Sequence, residues 1–269
     1  MYADDTILLF REKNAIQLQN DMQHGLQMVE EWCIRSKLTL NLKKTTFMLL
    51  GTRQRLAAFF NLDLMLSNHQ IERVDVFKYL GVILDEQLLW KEHNKLYVAR
   101  KVSQRIGFLR RSAKPVLPNE ILKMLSCSLI MPLLDYCDVA WSNTSSNILD
   151  RLLKLHNRLA RMILDAHPRT HVVDMFTDLH WQELPTRWNQ HRMIQIFKCL
   201  NGLAPDYLND LFTRPIHLFD TRFRINGSLN NTIRLFNNAA SRTFEYMGYT
   251  GWNGLSVNQR NTESLIICL

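Results

Sequence analysis

The spacing of apolar residues changes near residue 90, and this change limits the folds open to the chain. Before it, alternating and β-branched segments predict strands, most clearly over residues 76–84. After it, apolar residues recur every three or four positions, which predicts helices over 91–114, 119–131, 147–165 and 188–201. Strands with one helix, followed by helices, indicate an α+β module joined to an α-helical one. The predicted fold class is therefore α+β.

The first ninety residues contain one predicted helix among short strands. Asn14 can cap a helix that extends to about residue 35. Its apolar stripe, expected to pack on the sheet, comprises Leu18, Met22, Leu26, Val29 and Cys33. Strands are predicted over 6–10, 38–42 and 46–50, and a hairpin turning at 67–69 joins 62–66 to 71–74. Gly81 is a candidate bulge or close-approach position. Residues 215–269 have no assignable pattern.

The charge of the chain favours a polyanionic partner. The sequence has 33 Lys and Arg against 25 Asp and Glu, a formal net charge of +8. Such a balance is typical of proteins that bind nucleic acid, although an unrelated basic protein is the alternative. The apolar fraction of 46% is sufficient for a buried core and argues against general disorder.

The cysteines indicate an intracellular protein with reduced thiols. They are odd in number, widely scattered and never spaced as C-x-x-C, which argues against a disulfide framework or a zinc knuckle. They are Cys33, Cys127, Cys137, Cys199 and Cys268. No apolar run approaches the ~20 residues of a membrane span, and the N-terminus does not resemble a signal peptide. We expect no membrane association, and a location in the cytoplasm and nucleus.

Two adjacent carboxylates, Asp4 and Asp5, stand between segments with strand character, and we expect them at the tip of a two-stranded hairpin. Like charges a few ångströms apart repel each other, so this pair favours a neutralising cation. Mg²⁺ is usually held by one or two carboxylates together with substrate phosphates. In nucleotidyl transfer, two such ions about 3.5–4 Å apart stabilise an in-line displacement. A purely structural turn is the alternative, because aspartate is common in turns.

Three motifs resemble those of reverse transcriptases. Tyr2-Ala3-Asp4-Asp5, with the apolar residues after it, resembles the active-site box of the family. Residues 38–45 are similar to the following motif, a strand that ends in Asn-x-x-Lys-Thr, and residues 77–82 are similar to the primer-grip segment. The motifs occur in the family's order. The resemblance implies an RNA-directed DNA polymerase that performs two-metal nucleotidyl transfer on an RNA template and a DNA primer, with Mg²⁺ or alternatively Mn²⁺.

The resemblance also implies roles for individual residues. Asp4 and Asp5 become the catalytic metal ligands, and Lys44 approaches the incoming triphosphate, where it can protonate the pyrophosphate leaving group. The implied primer- and substrate-binding residues are Tyr2, Phe77, Leu80 and Gly81. From the residues alone, a solvated loop lysine is the less favoured alternative for Lys44, and a plain core strand would account for 77–82 equally well.

Later segments resemble the C-terminal part of Jockey-like and related non-LTR retrotransposon enzymes. These are Leu134–Trp141, Leu155–Arg161, Tyr207-Leu208 and Gly251–Asn253, after a thumb-like region that starts at Leu89. The implied domains are a partial polymerase palm over 1–88, thumb-like basic helices over 89–131 and a helical C-terminal region over 132–269.

Reverse transcriptases need a further aspartate on a strand that precedes the paired aspartates. The first motif here begins at residue 2, so the 269 residues do not include that strand or the fingers. We expect a fragment that is inactive without the missing N-terminal polymerase portion. Two alternatives remain open, a non-catalytic module that binds primer–template and an inactive transposon relic.

The predicted helix over 91–114 carries eight basic residues and a single acid, Glu92. Its apolar stripe can dock on neighbouring helices while the cations contact phosphates, a contact that does not depend on base sequence. The predicted nucleic-acid contacts are Lys95, Arg100, Lys101, Arg105, Arg110 and Arg111. A solubilising basic face is the alternative.

Two weaker patterns favour structural roles. His167 and His171 have a metal-like spacing, but Pro168 lies between them and no paired cysteines accompany them. Asp135 and Asp138 could belong to a nuclease, yet they lie in an apolar, aromatic segment without further carboxylates. Capping or satisfied core polar groups are the favoured interpretation for these two aspartates.

Overall fold

The structure, a computed structural model, describes residues 5–59, 62–212, 228–229 and 243–260. The chain divides into two compact units, unit 1 over residues 1–92 and unit 2 over residues 93–269. The described part of unit 1 contains helices and short strands, whereas that of unit 2 contains only helices. This arrangement confirms the predicted α+β class.

Unit 1 contains one long helix, which the sequence predicts correctly. Helix α1 (Ala15–Arg35) begins where the Asn14 side chain accepts a hydrogen bond of 2.9 Å from the backbone N–H of Ile16. The other elements are α2 (Arg53–Ala58), β1 (Thr46–Phe47), β2 (Met65–Leu66), β3 (His69–Gln70), β4 (Glu72–Arg73), β5 (Val76–Tyr79) and β6 (Val82–Asp85).

Two pairs of strands form hairpins with two-residue turns. β2 and β3 pair antiparallel around Ser67 and Asn68, whose φ angles are 49° and 62°. β5 and β6 pair antiparallel around Leu80 and Gly81, whose φ angles are 44° and 85°. Positive φ at both positions is the requirement of a type I′ turn, whose twist matches that of a hairpin. Gly81 is therefore a turn residue, and the prediction of a bulge was wrong.

The third pair of strands is parallel, with Thr46 opposite Glu72 and Phe47 opposite Arg73. The predicted strands over 46–50 and 71–74 are thus confirmed only at these short segments. Residues 38–42 form no strand, because the chain enters a turn at Asn41.

The predicted strand over 6–10 was also wrong. Beyond an isolated bridge at Asp5, these residues have no regular structure. Among the described residues no strand pairs with them, and Leu9 is 82% exposed. An apolar segment becomes a strand only where a neighbour satisfies its backbone N–H and C=O groups.

The core of unit 1 lies between α1 and the segment that contains strands β1 to β4. Its buried members are Leu18, Phe47, Leu49, Leu56, Leu62, Leu64, Leu66 and Ile71. Met22 and Leu26 on α1 pack against this cluster, which confirms most of the predicted stripe. Val29 is half-buried but lies outside the cluster. Each fully buried aliphatic side chain stabilises the fold by roughly 1.5–3 kcal/mol.

The predicted helix over 91–114 is confirmed as one helical segment over residues 92–113, here called the basic helix. It consists of the π-helical turns Glu92–Val98 and Leu109–Ala113 on either side of α3 (Ala99–Phe108). The predicted apolar stripe is buried, since its members are at most 2% exposed. They are Val98, Val102, Ile106 and Leu109.

Nine further helices are described in unit 2. They are α4 (Asn119–Leu129), α5 (Met131–Asp135), α6 (Asp138–Trp141), α7 (Ser146–Leu164), α8 (Val172–Leu179), α9 (Leu184–Leu200), α10 (Asp206–Asn209), α11 (Phe244–Gly254) and α12 (Val257–Arg260). Helix α7 packs against α3, α4 and α8. No helix among the described residues is both long and apolar enough to span a bilayer. The described cysteines are free thiols, as predicted, and Cys268 lies outside the described residues.

Helix α11 lies in the region that the sequence left unassigned, and it packs closely on α9 at Gly248. A Cβ added at Gly248 would lie 2.7 Å from Cε1 of Phe212 and 3.0 Å from Cδ1 of Ile196. Both neighbours belong to a buried cluster that also contains Tyr249 and Trp252. Glycine is therefore required here by space rather than by backbone conformation.

We expect Gly248→Ala to destabilise unit 2 by about 1–3 kcal/mol, because the added methyl group overpacks this contact. Gly107→Ala is the matched control, since its added Cβ would meet only the Arg111 guanidinium, at 3.4 Å. Removing a helical glycine there should leave stability unchanged or raise it by up to about 1 kcal/mol. Urea unfolding monitored by tryptophan fluorescence measures both. Equal effects of the two substitutions would contradict the close packing of α11 on α9.

Candidate functional site

The paired aspartates lie only partly within the described residues. Tyr2, Ala3 and Asp4 fall outside them. The prediction of a two-stranded hairpin around the pair was wrong in its second strand, because residues 6–10 form no strand. Asp5 is exposed, and no described residue bonds to its carboxylate. This carboxylate is therefore accessible to a cation or a substrate.

Lys44 lies in an exposed turn directly before β1. The carbonyl oxygen of Asn41 accepts hydrogen bonds from the backbone N–H groups of Lys44, at 3.0 Å, and Thr45, at 3.1 Å. The Thr45 hydroxyl donates to the same oxygen at 3.0 Å. The sequence Asn-x-x-Lys-Thr thus forms a closed turn that leaves the Lys44 side chain in solvent.

The segment predicted as a primer grip is the hairpin of β5 and β6. Phe77 pairs with Leu84 and Tyr79 pairs with Val82, so Leu80 and Gly81 stand at the tip. Val82 is buried, whereas Phe77, Leu80 and Gly81 are half-buried. The tip of the hairpin is therefore partly accessible to solvent.

Asp85, which sequence reasoning did not single out, fixes the chain after this hairpin. Its carboxylate accepts hydrogen bonds from the backbone N–H groups of Leu89, at 2.9 Å, and Trp90, at 2.7 Å. Leu88 and Trp90 both have positive φ, at 50° and 61°. An aspartate that bonds backbone groups a few residues later is a common turn device, but the spacing here is too long to be a recognisable signal.

The cations of the basic helix divide into two groups. Lys95, Arg100, Arg110 and Arg111 are exposed, and no described residue forms an ion pair or hydrogen bond with their side chains. The other two predicted contacts, Lys101 and Arg105, are half-buried and engaged within the protein.

Lys101 donates a 2.9 Å hydrogen bond to the Tyr97 hydroxyl, and its Nζ lies 4.1 Å from the centre of that ring. The Arg105 guanidinium donates to the backbone carbonyl of Leu129 at the end of α4. At the C-terminus of the basic helix, Lys114 forms a 2.6 Å ion pair with Asp165. The Arg105 side chain therefore links two helices, and its predicted contact with nucleic acid stays a prediction.

Asp135 and Asp138 lie in a polar cluster with His191. The ligand atoms of these three residues lie within 4.8 Å of one another, a separation that a metal ion could bridge. However, Arg187 donates two hydrogen bonds of 2.7 Å to the two Asp135 oxygens, and His191 Nδ1 lies 2.5 Å from Asp138 Oδ2. A guanidinium bound to a carboxylate opposes a second cation there, so the geometry agrees with satisfied structural groups.

Burial changes the acid–base properties of this cluster. It raises the pKa of Asp138, while the hydrogen bond with His191 acts in the opposite direction. The hydrogen bonds to Asp135 raise the pKa of Arg187. Arg187 and His191 lie about fifty positions after the two aspartates along the chain. No sequence signal pairs residues at such a distance, and sequence reasoning missed both partners.

Comparisons with known proteins agree with the polymerase motifs. Residues 1–84 match the family model described as reverse transcriptase (RNA-dependent DNA polymerase). Over 194 residues the chain is 24% identical to a protein of Drosophila melanogaster named "Probable RNA-directed DNA polymerase from transposon BS". The aligned part is 71% of this chain and 21% of that protein, so the chain spans about a fifth of its relative's length. No solved structure is significantly similar.

The match to the family model falls within unit 1. It runs from the Asp4-Asp5 box to Leu84, in the second strand of the β5–β6 hairpin. All three sequence motifs lie inside it. Residues 1–84 therefore have the sequence pattern of reverse transcriptases.

Proposed function

We propose that this chain is part of an RNA-directed DNA polymerase of a non-LTR, Jockey-like retrotransposon. The observation that carries the proposal is the match of residues 1–84 to the reverse-transcriptase family model, which includes the paired aspartates, the Lys44 turn and the β5–β6 hairpin. The similarity to the Drosophila transposon protein extends over 194 residues and supports the same assignment for the chain beyond unit 1.

Asp4 and Asp5 would hold the divalent cation, for which Mg²⁺ is the best candidate. The donors fit this ion, because carboxylate oxygens are its preferred protein ligands and the described Asp5 carboxylate is exposed without another partner. When bound, the ion supplies Lewis-acid stabilisation of charge on the transferring phosphoryl group. Lys44 is proposed to orient the triphosphate and to donate a proton to the leaving pyrophosphate. Its exposed side chain leaves the ammonium group free for that contact.

The primer is proposed to rest on the tip of the β5–β6 hairpin. Leu80 and Gly81 would contact the primer's 3′ end, with Phe77 supporting the tip from the base of the hairpin. The type I′ turn supports this role, because it presents Gly81 without a side chain that would hold the primer at a distance. Tyr2, next to the paired aspartates, is proposed as a further substrate contact.

The basic helix is proposed to hold the primer–template duplex through phosphate contacts. The exposed cations Lys95, Arg100, Arg110 and Arg111 are the residues that support this role. Because Lys101 and Arg105 have partners within the protein, we assign them to packing of the helix. Such contacts do not read base sequence, which suits an enzyme that copies any template.

The experiment that tests this function compares two purified polypeptides. We expect a longer polypeptide, with the preceding fingers and the upstream aspartate strand added, to extend a DNA primer on an RNA template with Mg²⁺. The 269-residue polypeptide should give no product with Mg²⁺ or Mn²⁺, because its paired aspartates lack the third carboxylate that the resemblance implies. Primer extension on a denaturing gel measures both. Absence of synthesis by the folded longer polypeptide, or robust synthesis by the 269 residues alone, would contradict this account.

A further inference from the structure

Helix α7 has a row of three cations on one side. Arg151, Lys154 and Arg158 are spaced three and four residues apart, which places them within an arc of about 60° on an α-helix. All three are exposed. We call these three residues the α7 ridge. The first and the last of them are seven residue steps apart, a length of about 10 Å along the helix axis.

The opposite side of α7 fixes the ridge in place. Leu152, Leu159 and Ile163 are fully buried, and the helix packs against α3, α4 and α8. The ridge is therefore displayed on a helix whose orientation is determined by core packing. Because the backbone that carries the ridge is fixed, a partner that binds the three cations orders only their side chains and no flexible segment.

The described part of the chain offers the ridge no ion-pair partner. Asp150 is the only acid on α7, and although it lies four residues before Lys154, the two side chains form no salt bridge. The half-buried Arg161, one turn further along the same side, has an Nε atom without a hydrogen-bond partner among the described residues. Solvated helices commonly pair such cations with acids at this spacing.

We propose that the α7 ridge binds the phosphate backbone of a nucleic acid, as a second contact surface besides the basic helix. This inference rests on the proposed polymerase function and extends its nucleic-acid contacts beyond the basic helix. A DNA duplex carries one negative charge per about 1.7 Å of its axis, so a row of about 10 Å can meet several phosphates. A protein partner fits less well, because protein interfaces are built around buried apolar and aromatic anchors. No large apolar side chain of α7 is exposed.

The test is the salt dependence of duplex binding by the full 269-residue chain. Affinities for a fluorescent 20-base-pair DNA duplex are measured by anisotropy between 50 and 300 mM KCl. The ridge variant is Arg151→Gln, Lys154→Gln and Arg158→Gln, and the basic-helix variant is Arg100→Gln, Arg110→Gln and Arg111→Gln. The matched control, Lys13→Gln, Arg35→Gln and Lys37→Gln, removes the same charge from exposed positions on and next to α1.

We expect the ridge variant to flatten the slope of log affinity against log salt by about two to three, since each phosphate contact contributes about 0.9. The control should match the wild type. A ridge variant that behaves like the control overturns the proposal, and if the basic-helix variant still flattens the slope, the proposed function is unaffected. If neither variant changes the slope, or the wild type does not bind, both ideas fail. Tighter ridge-dependent binding to poly-glutamate than to duplex would also overturn the proposal, in favour of an acidic protein partner.

Discussion

Replacing His156 by phenylalanine is expected to reduce the loss of stability that unit 2 suffers between pH 7 and pH 5. His156 lies on α7 with its ring stacked on Trp181, the ring centres being 5.3 Å apart, and it also contacts Phe176. Neither ring nitrogen has a hydrogen-bond partner among the described residues. Burial, helped by the positive charge of Arg187 and opposed by Asp135, lowers the pKa of His156 to about 4.

The sign of the effect follows from this depressed pKa. In the unfolded chain a histidine has a pKa of about 6.5, so between pH 6.5 and pH 4 the unfolded state binds a proton that the folded state does not. The stability that depends on neutral His156 is complete above pH 6.5 and is lost as the pH falls towards 4. At pH 5 this loss amounts to about 2 kcal/mol. Phenylalanine keeps the aromatic packing and cannot take up a proton.

The measurement is the free energy of unfolding in urea at pH 7 and pH 5, and the compared quantity is the difference between the two. Any overpacking by the phenylalanine ring acts equally at both pH values and cancels. Burial also lowers the pKa of His93 to about 4, so the variant retains part of the acid sensitivity. His167→Phe, at an exposed position in the same unit, is the control and should keep the wild-type difference. An unchanged difference in His156→Phe would show that this histidine does not govern acid sensitivity.

The helices were predictable because their signals are local. Asn14 caps α1 by accepting a hydrogen bond from the backbone N–H of Ile16, only two residues further along the chain. The buried stripe from Val98 to Leu109 follows the three- and four-residue spacing of a helix. The π-helical turns at both ends of the basic helix were not predictable, since a wider turn leaves no separate apolar pattern in such a short segment. Helix α11 was missed because glycine and asparagine are frequent around it and its burial depends on α9.

The strands were harder to predict, because a strand depends on a partner elsewhere in the chain. Residues 6–10 have the composition of a strand but no pairing strand among the described residues. β1 is confirmed over only two residues, where β4 lies alongside it. The β5–β6 hairpin was the best case, since its turn and both strands are contiguous.

The motifs of the candidate site could be predicted from the sequence, but the hydrogen-bond partners of its side chains could not. Lys44 lies on an exposed turn and the hairpin tip on a half-buried one, so a substrate could reach both. Arg105 donates a hydrogen bond to the Leu129 carbonyl, and Arg187 donates to Asp135. Both bonds depend on how helices that are distant in sequence pack together. Charge counts alone therefore do not show which cations are engaged within the protein.

The second large expected effect concerns the paired aspartates themselves. In a longer polypeptide that synthesises DNA, Asp4→Ala or Asp5→Ala should lower the rate of primer extension by about a hundredfold or more, because a catalytic metal ion contributes several kcal/mol to transition-state stabilisation. Glu12→Ala, which removes a nearby exposed carboxylate, is the matched control and should retain wild-type activity. Affinity for primer–template should be little changed in all three variants, which separates lost catalysis from lost folding.

The most direct measurement of the central claim is the single-turnover rate of RNA-templated primer extension by the wild-type, Asp4→Ala, Asp5→Ala and Glu12→Ala forms of this longer polypeptide in Mg²⁺. We expect extension by the wild type and Glu12→Ala, and none above background by either aspartate variant, with primer–template still bound. Equal extension rates in all four proteins would contradict the assignment of Asp4 and Asp5 as the metal-binding carboxylates of a polymerase.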